Sequence, residues 1–208
     1  MDEQVIQFIA AVKQRNISAV YVETLSQARE LMFSMIPGEA TVGFSGSVTL
    51  QEMGIVAALE ARGTAVYNPY APHLSRPESL VVRRQGAQAG YFLASANAIA
   101  QTGELVFFSA FGNRTAGVAY ANRVIIACGR NKIVPTREAA LARAREVATP
   151  QNVRRLGWQT PCAGDSVCRS EQCVYPDVKR MCGQILVIEG EVDPERIRVI
   201  IIGEKAGF

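Results

Sequence analysis

The sequence is poor in the residues from which many metal and catalytic sites are built. Its 208 residues include one histidine, His73, and one tryptophan, Trp158. A zinc site built from paired histidines is therefore excluded, and the close Cys-x2-Cys pair typical of zinc ribbons does not occur. No apolar run approaches the roughly 20 residues that cross a membrane. The net charge of +3 is too small to require a nucleic acid partner.

Two common nucleotide-binding motifs are also missing. The glycine-rich segment GFSGSVT at 43–49 has neither the Gly-Lys-Ser/Thr ending of a phosphate-binding loop nor the G-x-G-x-x-G spacing of dinucleotide sites. Nucleotide use is therefore not supported. The chain begins with acidic residues, Asp2 and Glu3, where a signal peptide has a basic segment followed by an apolar one. A cytoplasmic location is expected.

Helical and strand patterns alternate along most of the chain. Apolar residues at helical spacing predict a first helix across residues 5–12, and the pairs Thr24 with Gln27 and Thr49 with Glu52 predict capping boxes that start two more. Short apolar runs predict strands at 18–22, 41–43, 65–67, 91–94, 104–108 and 124–127. This alternation predicts an α/β fold with a mostly parallel sheet and helices on both faces. Such sheets bind ligands at the carboxyl ends of their strands.

The alternation stops near residue 149. We therefore expect a single domain, in which residues 1–149 form the α/β core and 150–208 add a cysteine-rich loop and a C-terminal β-hairpin. The two predicted strands of that hairpin are Ile185–Ile188 and Ile197–Ile202. With 49% hydrophobic and 20% charged residues, the chain is long enough for one such core.

Four of the five cysteines lie in the C-terminal part, at Cys162, Cys168, Cys173 and Cys182. Thiolates spaced C-x5-C-x4-C-x8-C can surround one soft metal centre, and the irregular intervals favour an iron–sulfur cluster, of the four-iron type, over zinc. A pair of disulfides is the alternative, which the lack of a signal peptide disfavours. If three cysteines bind, one iron is open to substrate; if four bind, the cluster carries electrons or supports the fold.

Three turns rich in small and polar residues follow predicted strands. The first precedes a helix, so its backbone N–H groups could collect around an anion. The third contains an arginine whose planar guanidinium could clamp a carboxylate or phosphate. Ordinary loops are the alternative for each turn taken alone. The candidate anion-binding residues in the three turns are Gly43, Ser45, Ser47, Thr102, Gly103 and Arg114.

Catalytic candidates are few. Glu104 could act as a general base if it were buried against Arg114, although an exposed carboxylate at a strand start is the alternative. His73 lies in a loop with three prolines, where a surface histidine is the usual finding. Cys128 ends an apolar strand and is expected in the core. Trp158 precedes the cysteine loop and is expected to shield it.

Five segments, taken in order, resemble the LUD-domain family, whose name refers to lactate utilisation. The resemblance covers essentially the whole chain and fits a single-domain branch with a C-terminal cysteine cluster. It implies a fold similar to the sugar-phosphate isomerase, CoA-transferase and formyltetrahydrofolate cyclo-ligase group. The segments are GFSGSVTL (43–50), ANAIAQTGELV (96–106), CGRNKIV (128–134), NVRRL (152–156) with TPCA (160–163), and IIGEKAGF (201–208).

The resemblance also implies a ligand cleft at the turns that follow strands. That assigns the cleft to Gly43, Ser45, Ser47, Thr102 and Gly103, and Asn131 and Lys132 could add a cation at the same rim. The implied function is metabolism of lactate or a related small hydroxy- or oxo-acid, by an iron–sulfur-dependent oxidoreductase or lyase. A small anionic metabolite and an electron-transfer protein are the expected partners, and a homo-oligomer is compatible. The alternative is a non-catalytic regulatory or accessory subunit with structural zinc or a closed cluster.

Overall fold

A computed structural model describes residues 1–208 and contains two sheets and eight α-helices. The helices are α1 (Glu3–Gln14), α2 (Leu25–Met35), α3 (Val48–Met53), α4 (Ile55–Ala61), α5 (Arg76–Ala87), α6 (Asn113–Tyr120), α7 (Arg137–Arg143) and α8 (Thr149–Arg155). The strands are β1 (Ser18–Val22), β2 (Thr41–Phe44), β3 (Ala65–Tyr67), β4 (Tyr91–Ala94), β5 (Ala98–Ala100), β6 (Leu105–Ser109), β7 (Arg123–Gly129), β8 (Ile133–Val134), β9 (Gln184–Ile188) and β10 (Ile197–Ile202).

The larger sheet has six strands in the order β1-β10-β7-β4-β2-β3, and every neighbouring pair is parallel. Helices cover both of its faces. The predicted α/β fold with a mostly parallel sheet is therefore confirmed. Because all six strands run the same way, their carboxyl ends lie along one edge, and the loops that follow them meet there.

The predicted C-terminal hairpin is wrong. In the structure β9 pairs antiparallel with β6 in a second sheet of order β8-β5-β6-β9, whereas β10 lies between β1 and β7. The side chains of β10 explain this placement: Val199 and Ile201 pack on one face of the sheet, and Ile200 and Ile202 on the other. A strand that is apolar on both faces is typical of the interior of a parallel sheet.

Two hydrophobic cores flank the larger sheet. The first lies between the two sheets and includes Phe8 of α1, Phe92 of β4 and Phe107 of β6, all almost fully buried. The second lies on the opposite face, where α2, α3 and α4 contribute side chains such as Met32 and Leu59. Helix α7 covers the outer face of the second sheet. No helix is both long and apolar enough to cross a membrane.

A side chain caps the start of five of the eight helices, α1, α2, α3, α5 and α7. The capping box of Thr24 with Gln27 is present at the start of α2. The box predicted at Thr49 is wrong, because Ser47 caps α3 through a 3.3 Å hydrogen bond from the Leu50 amide. The Thr49 hydroxyl instead points into the loops at the carboxyl edge of the sheet, where it contributes to the site described next.

Candidate anion-binding site

Loops that follow β2, β4 and β7 meet around the buried side chain of Lys132, which is 4% exposed. Its Nζ donates to Ser95 Oγ at 2.8 Å, to Thr49 Oγ1 at 3.1 Å and to the Ala96 carbonyl at 3.3 Å. These three bonds match the three N–H donors of an ammonium group. The lysine therefore joins three strand-end loops of the parallel sheet at one point.

The surroundings of Lys132 disfavour the charged form of its side chain. Burial lowers the pKa of Lys132 to about 8. The positive charges of Arg143 and Arg114 lower this pKa further, whereas Cys128 and Glu52 oppose the shift. No side-chain carboxylate lies within ion-pair distance of the ammonium.

Arg114 extends the cationic surface toward the second sheet. Its Nη1 donates to Asn97 Oδ1 at 3.0 Å and to the Phe108 carbonyl at 2.8 Å, and its Nη2 donates to the Gly46 carbonyl at 2.6 Å. A guanidinium carries five N–H donors, so two remain. One of these is at Nε, which is buried and has no hydrogen-bond partner. Burial lowers the pKa of Arg114, because its charged form is desolvated in the folded protein as well.

The C-terminal residues close the site from above. The Gly207 amide donates to Glu52 Oε2 at 2.9 Å, and its carbonyl accepts from Asn131 Nδ2 at 3.3 Å. The φ of +60° at Gly207 and a distance of 2.6 Å from an added Cβ to Thr49 Oγ1 require glycine at this position. The predicted residue Asn131 thus holds the chain that covers Lys132.

Two spaces that share lining residues lie beside these cations. An inner cavity of about 40 Å³ is lined by Ser47, Ser95, Asn97 and Lys132 among others. A water molecule needs about 10–15 Å³ on this measure, so the cavity has room for about three waters or a few atoms of a ligand. It shares Arg114 and two further residues with an outer pocket.

The outer pocket has a volume of about 360 Å³ and a mixed lining. It adds Arg83 and Arg155 to the cations, Ser109 and Tyr70 as hydroxyl groups, and Trp158 as an apolar wall. An apolar wall with few polar groups is typical of small-molecule sites. The two spaces thus lie on either side of three shared residues, Gly46, Arg114 and Asn152.

The cysteine loop forms one wall of this pocket. Met181, beside Cys182, lines the outer space, and its sulfur accepts a 3.0 Å hydrogen bond from Asn152 Nδ2. Trp158 donates through Nε1 to the Lys179 carbonyl at 2.6 Å, which fixes the indole between loop and pocket. None of the four clustered thiols lines either space.

The five cysteines are all unpaired, so the alternative prediction of two disulfides is wrong for this structure. Burial raises the pKa of Cys168 and of Cys173, and the neighbouring thiols of the loop raise both further. Arg180 Nη2 lies 3.9 Å from Cys182 Sγ. No three His, Cys, Asp or Glu side chains form a group that could hold a metal ion in this arrangement. The four thiols are the donor type that a soft metal prefers, but in this arrangement they do not come together as a metal site.

Only part of the predicted ligand set comes together. Ser47, Arg114 and Lys132 line the inner cavity. The hydroxyl of Ser45 is buried without a hydrogen-bond partner, and Ser45 lines neither space. Gly43 serves packing, because an added Cβ would lie 1.9 Å from the carbonyl oxygen of Gly86 in α5.

The turn with Thr102, Gly103 and Glu104 lies elsewhere. It joins β5 to β6 and contacts Arg15, whose Nε donates to the Thr102 carbonyl at 2.8 Å and whose Nη2 lies 2.5 Å from Glu104 Oε1. Glu104 is therefore buried against this arginine and not against Arg114. His73 is exposed in its loop and lines neither space.

Sequence reasoning underrated three residues of the site. Ser95 and Asn97 stand at the start of the segment whose far end holds Thr102, and only this start reaches the site. Thr49 carries a capping-box pattern in the sequence, but in the structure its hydroxyl accepts a hydrogen bond from Lys132. The position of these residues in the sequence could have identified them, since all three follow strands or strand-end turns of the parallel sheet.

The fold and the site together define an α/β domain with a cationic pocket at the carboxyl edge of a parallel sheet. A model of the LUD domain family matches residues 5–202, so the chain belongs to the LUD domain family. It is similar in structure to a DUF162 family protein from Deinococcus radiodurans, with a TM-score of 0.56, 14% identity and 97% of each chain covered. At that identity the similarity demonstrates a shared fold. No curated protein sequence matches the chain with significance.

Proposed function

We propose that the chain binds a small anionic acid in the strand-end pocket and acts in the metabolism of lactate or a related hydroxy- or oxo-acid. One observation carries the proposal. The cations that line the two spaces, Lys132, Arg114, Arg83 and Arg155, form no ion pair with any side-chain carboxylate. An anionic ligand would supply the charge that the protein does not.

Size and donor geometry favour a carboxylate on a short chain. The inner cavity of about 40 Å³ accepts only a few atoms. Arg114 has two uncommitted N–H donors, including the buried Nε, and a carboxylate could accept both. The hydroxyl of Ser95, which lines the same cavity, suits a hydroxyl or carbonyl group on the adjacent carbon. These features agree with the lactate-related role that the family name implies.

Isothermal titration calorimetry with lactate and with pyruvate tests this assignment. Arg114→Lys keeps the charge but loses the planar fork, so affinity should fall about ten- to a hundredfold, the loss expected for charge-assisted hydrogen bonds. Arg29→Lys makes the same change at an exposed arginine of α2 and serves as the matched control, whose affinity should equal that of the wild type. Absence of binding for both acids to the wild-type protein would refute the proposal.

The same proposal includes an iron–sulfur cluster held by Cys162, Cys168, Cys173 and Cys182, with zinc as the alternative. The support is chemical: four free thiols share one loop, and the guanidinium of Arg180 is close to them. When bound, such a cluster supplies one-electron transfer, or a Lewis acid if one iron stays open. To bind the cluster, the cysteine loop would have to bring its four thiols to one common centre. Trp158 would then separate the cluster from the outer pocket.

Metal analysis after purification without oxygen tests this part. Iron and acid-labile sulfide with a brown colour are the expected result, whereas a colourless protein with one zinc would contradict the cluster and favour a structural role. Single Cys→Ser changes at the four positions should each lower the iron content. Cys128→Ala is the matched control, because Cys128 is buried in the core between the sheets and should leave the iron content unchanged.

A further inference from the structure

Lys132 differs from the other lysines of the chain in its surroundings. The sequence has four lysines, and Lys13, Lys179 and Lys205 are exposed. Lys132 is buried and lines the inner cavity, and two hydroxyl groups lie within 3.1 Å of its Nζ. An amine enclosed beside a small ligand space, with hydroxyl groups at hydrogen-bond distance, has the components of a covalent carbonyl-binding site.

We propose that Lys132 forms an imine with the carbonyl carbon of a short 2-oxo acid whose carboxylate is held by Arg114. This inference rests on the anionic ligand proposed above and narrows it to the oxo-acid class. The position of both residues on the wall of one cavity carries the argument, because the carboxylate and the keto group of a 2-oxo acid are on adjacent carbons. A 2-hydroxy acid has no keto group and would bind without reacting.

The chemistry is a condensation without oxidant or reductant. The Nζ lone pair attacks the keto carbon, and the carbonyl oxygen takes up a proton to give a carbinolamine. The nitrogen loses its protons and forms the C=N bond while the hydroxyl leaves as water. Amine and oxo acid therefore yield imine and one water. Ser95 and Thr49 are within hydrogen-bond distance of Nζ and can pass the protons.

Protonation favours this lysine over the exposed ones. Attack requires the neutral amine, and burial lowers the pKa of Lys132 from 10.5 to about 8. At a given pH near neutrality, the neutral fraction is then about 300-fold larger than for a lysine with the ordinary pKa. The neutral amine keeps two N–H donors, so two of the bonds to Thr49, Ser95 and Ala96 can persist after deprotonation and one is lost.

Borohydride trapping tests the inference directly. The full-length protein is incubated with pyruvate and sodium borohydride, which reduces an imine to a stable secondary amine, and its peptides are analysed by mass spectrometry. One carboxyethyl group on the peptide that contains Lys132 is expected, with little on those of Lys13, Lys179 and Lys205. Equal labelling of all four lysines would overturn the inference.

Two further arms separate this inference from the function on which it rests. Lys132→Met should lose the adduct, whereas Lys13→Met should retain it; an adduct elsewhere in Lys132→Met at the wild-type yield contradicts the proposal. Excess lactate should reduce the trapping of pyruvate without forming an adduct itself. Pyruvate that binds in calorimetry but is never trapped overturns the imine alone, whereas failure of both acids to bind overturns the anionic ligand as well.

Discussion

Replacing Lys132 by methionine removes the buried ammonium group, and this should change how the stability of the protein depends on pH. Below the folded-state pKa of about 8, both the folded and the unfolded chain hold the proton, so the folded protein bears the full cost of the buried charge. As the pH rises above that value, the folded protein releases the proton first. The unfolded chain then holds more protons than the folded one, and stability increases.

The size of the effect follows from the two pKa values. With 10.5 for the unfolded chain and about 8 for the folded protein, the unfolding free energy of the wild type should rise by about 2 kcal/mol between about pH 7 and pH 9.5 relative to Lys132→Met. Urea unfolding followed by circular dichroism, with reductant present, measures both proteins at both pH values. Titration of the other groups cancels in the difference.

Lys13→Met is the matched control, since Lys13 is an exposed lysine near the end of α1. Its stability should depend on pH as that of the wild type does. If Lys132→Met and the wild type show the same pH dependence, the ammonium is not desolvated in the folded protein. The reasoning about the site would then lose its electrostatic basis.

Two further predictions concern other parts of the fold. Gly43→Ala should lower the unfolding free energy by about 1–3 kcal/mol or more, because its Cβ would lie 1.9 Å from the carbonyl oxygen of Gly86. Thermal unfolding measures this change. Gly38→Ala is the control and should be nearly neutral, because a Cβ at Gly38 would have no atom within 4 Å. Glu104→Gln removes the ion pair with Arg15 but lies outside both pockets, so it should lower the melting temperature and leave lactate affinity unchanged in calorimetry. Reduced affinity would show that the turn reaches the ligand after all.

Local rules were enough for much of the fold. The alternation of helical and strand periods, the capping box at Thr24 and the apolar run that ends at Cys128 depend on residues within a few positions of one another, and the structure contains each of them. The alternation of helices and strands also predicted a ligand site in the loops at the carboxyl edge of the sheet. Strand direction alone brings Ser47 and Lys132 to that edge.

Contacts between residues that are distant in the sequence decided the remaining features of the fold and of the site. The pairing of β10 with β1 and β7, in place of a hairpin with β9, depends on core packing that no local pattern records. The same is true of the segment from Ser95 to Thr102, whose first residues reach Lys132 while its last contact Arg15.

The sequence by itself determined the α/β class, most element positions and the grouping of four cysteines on one loop, because periodicity, capping and spacing are short-range properties. Only the tertiary structure decided that Thr49 and Ser95 hold Lys132, that Glu104 faces Arg15, and that the cysteine loop forms a wall of the pocket. Those contacts depend on strand order, which is selected by burial of apolar surface across the whole chain.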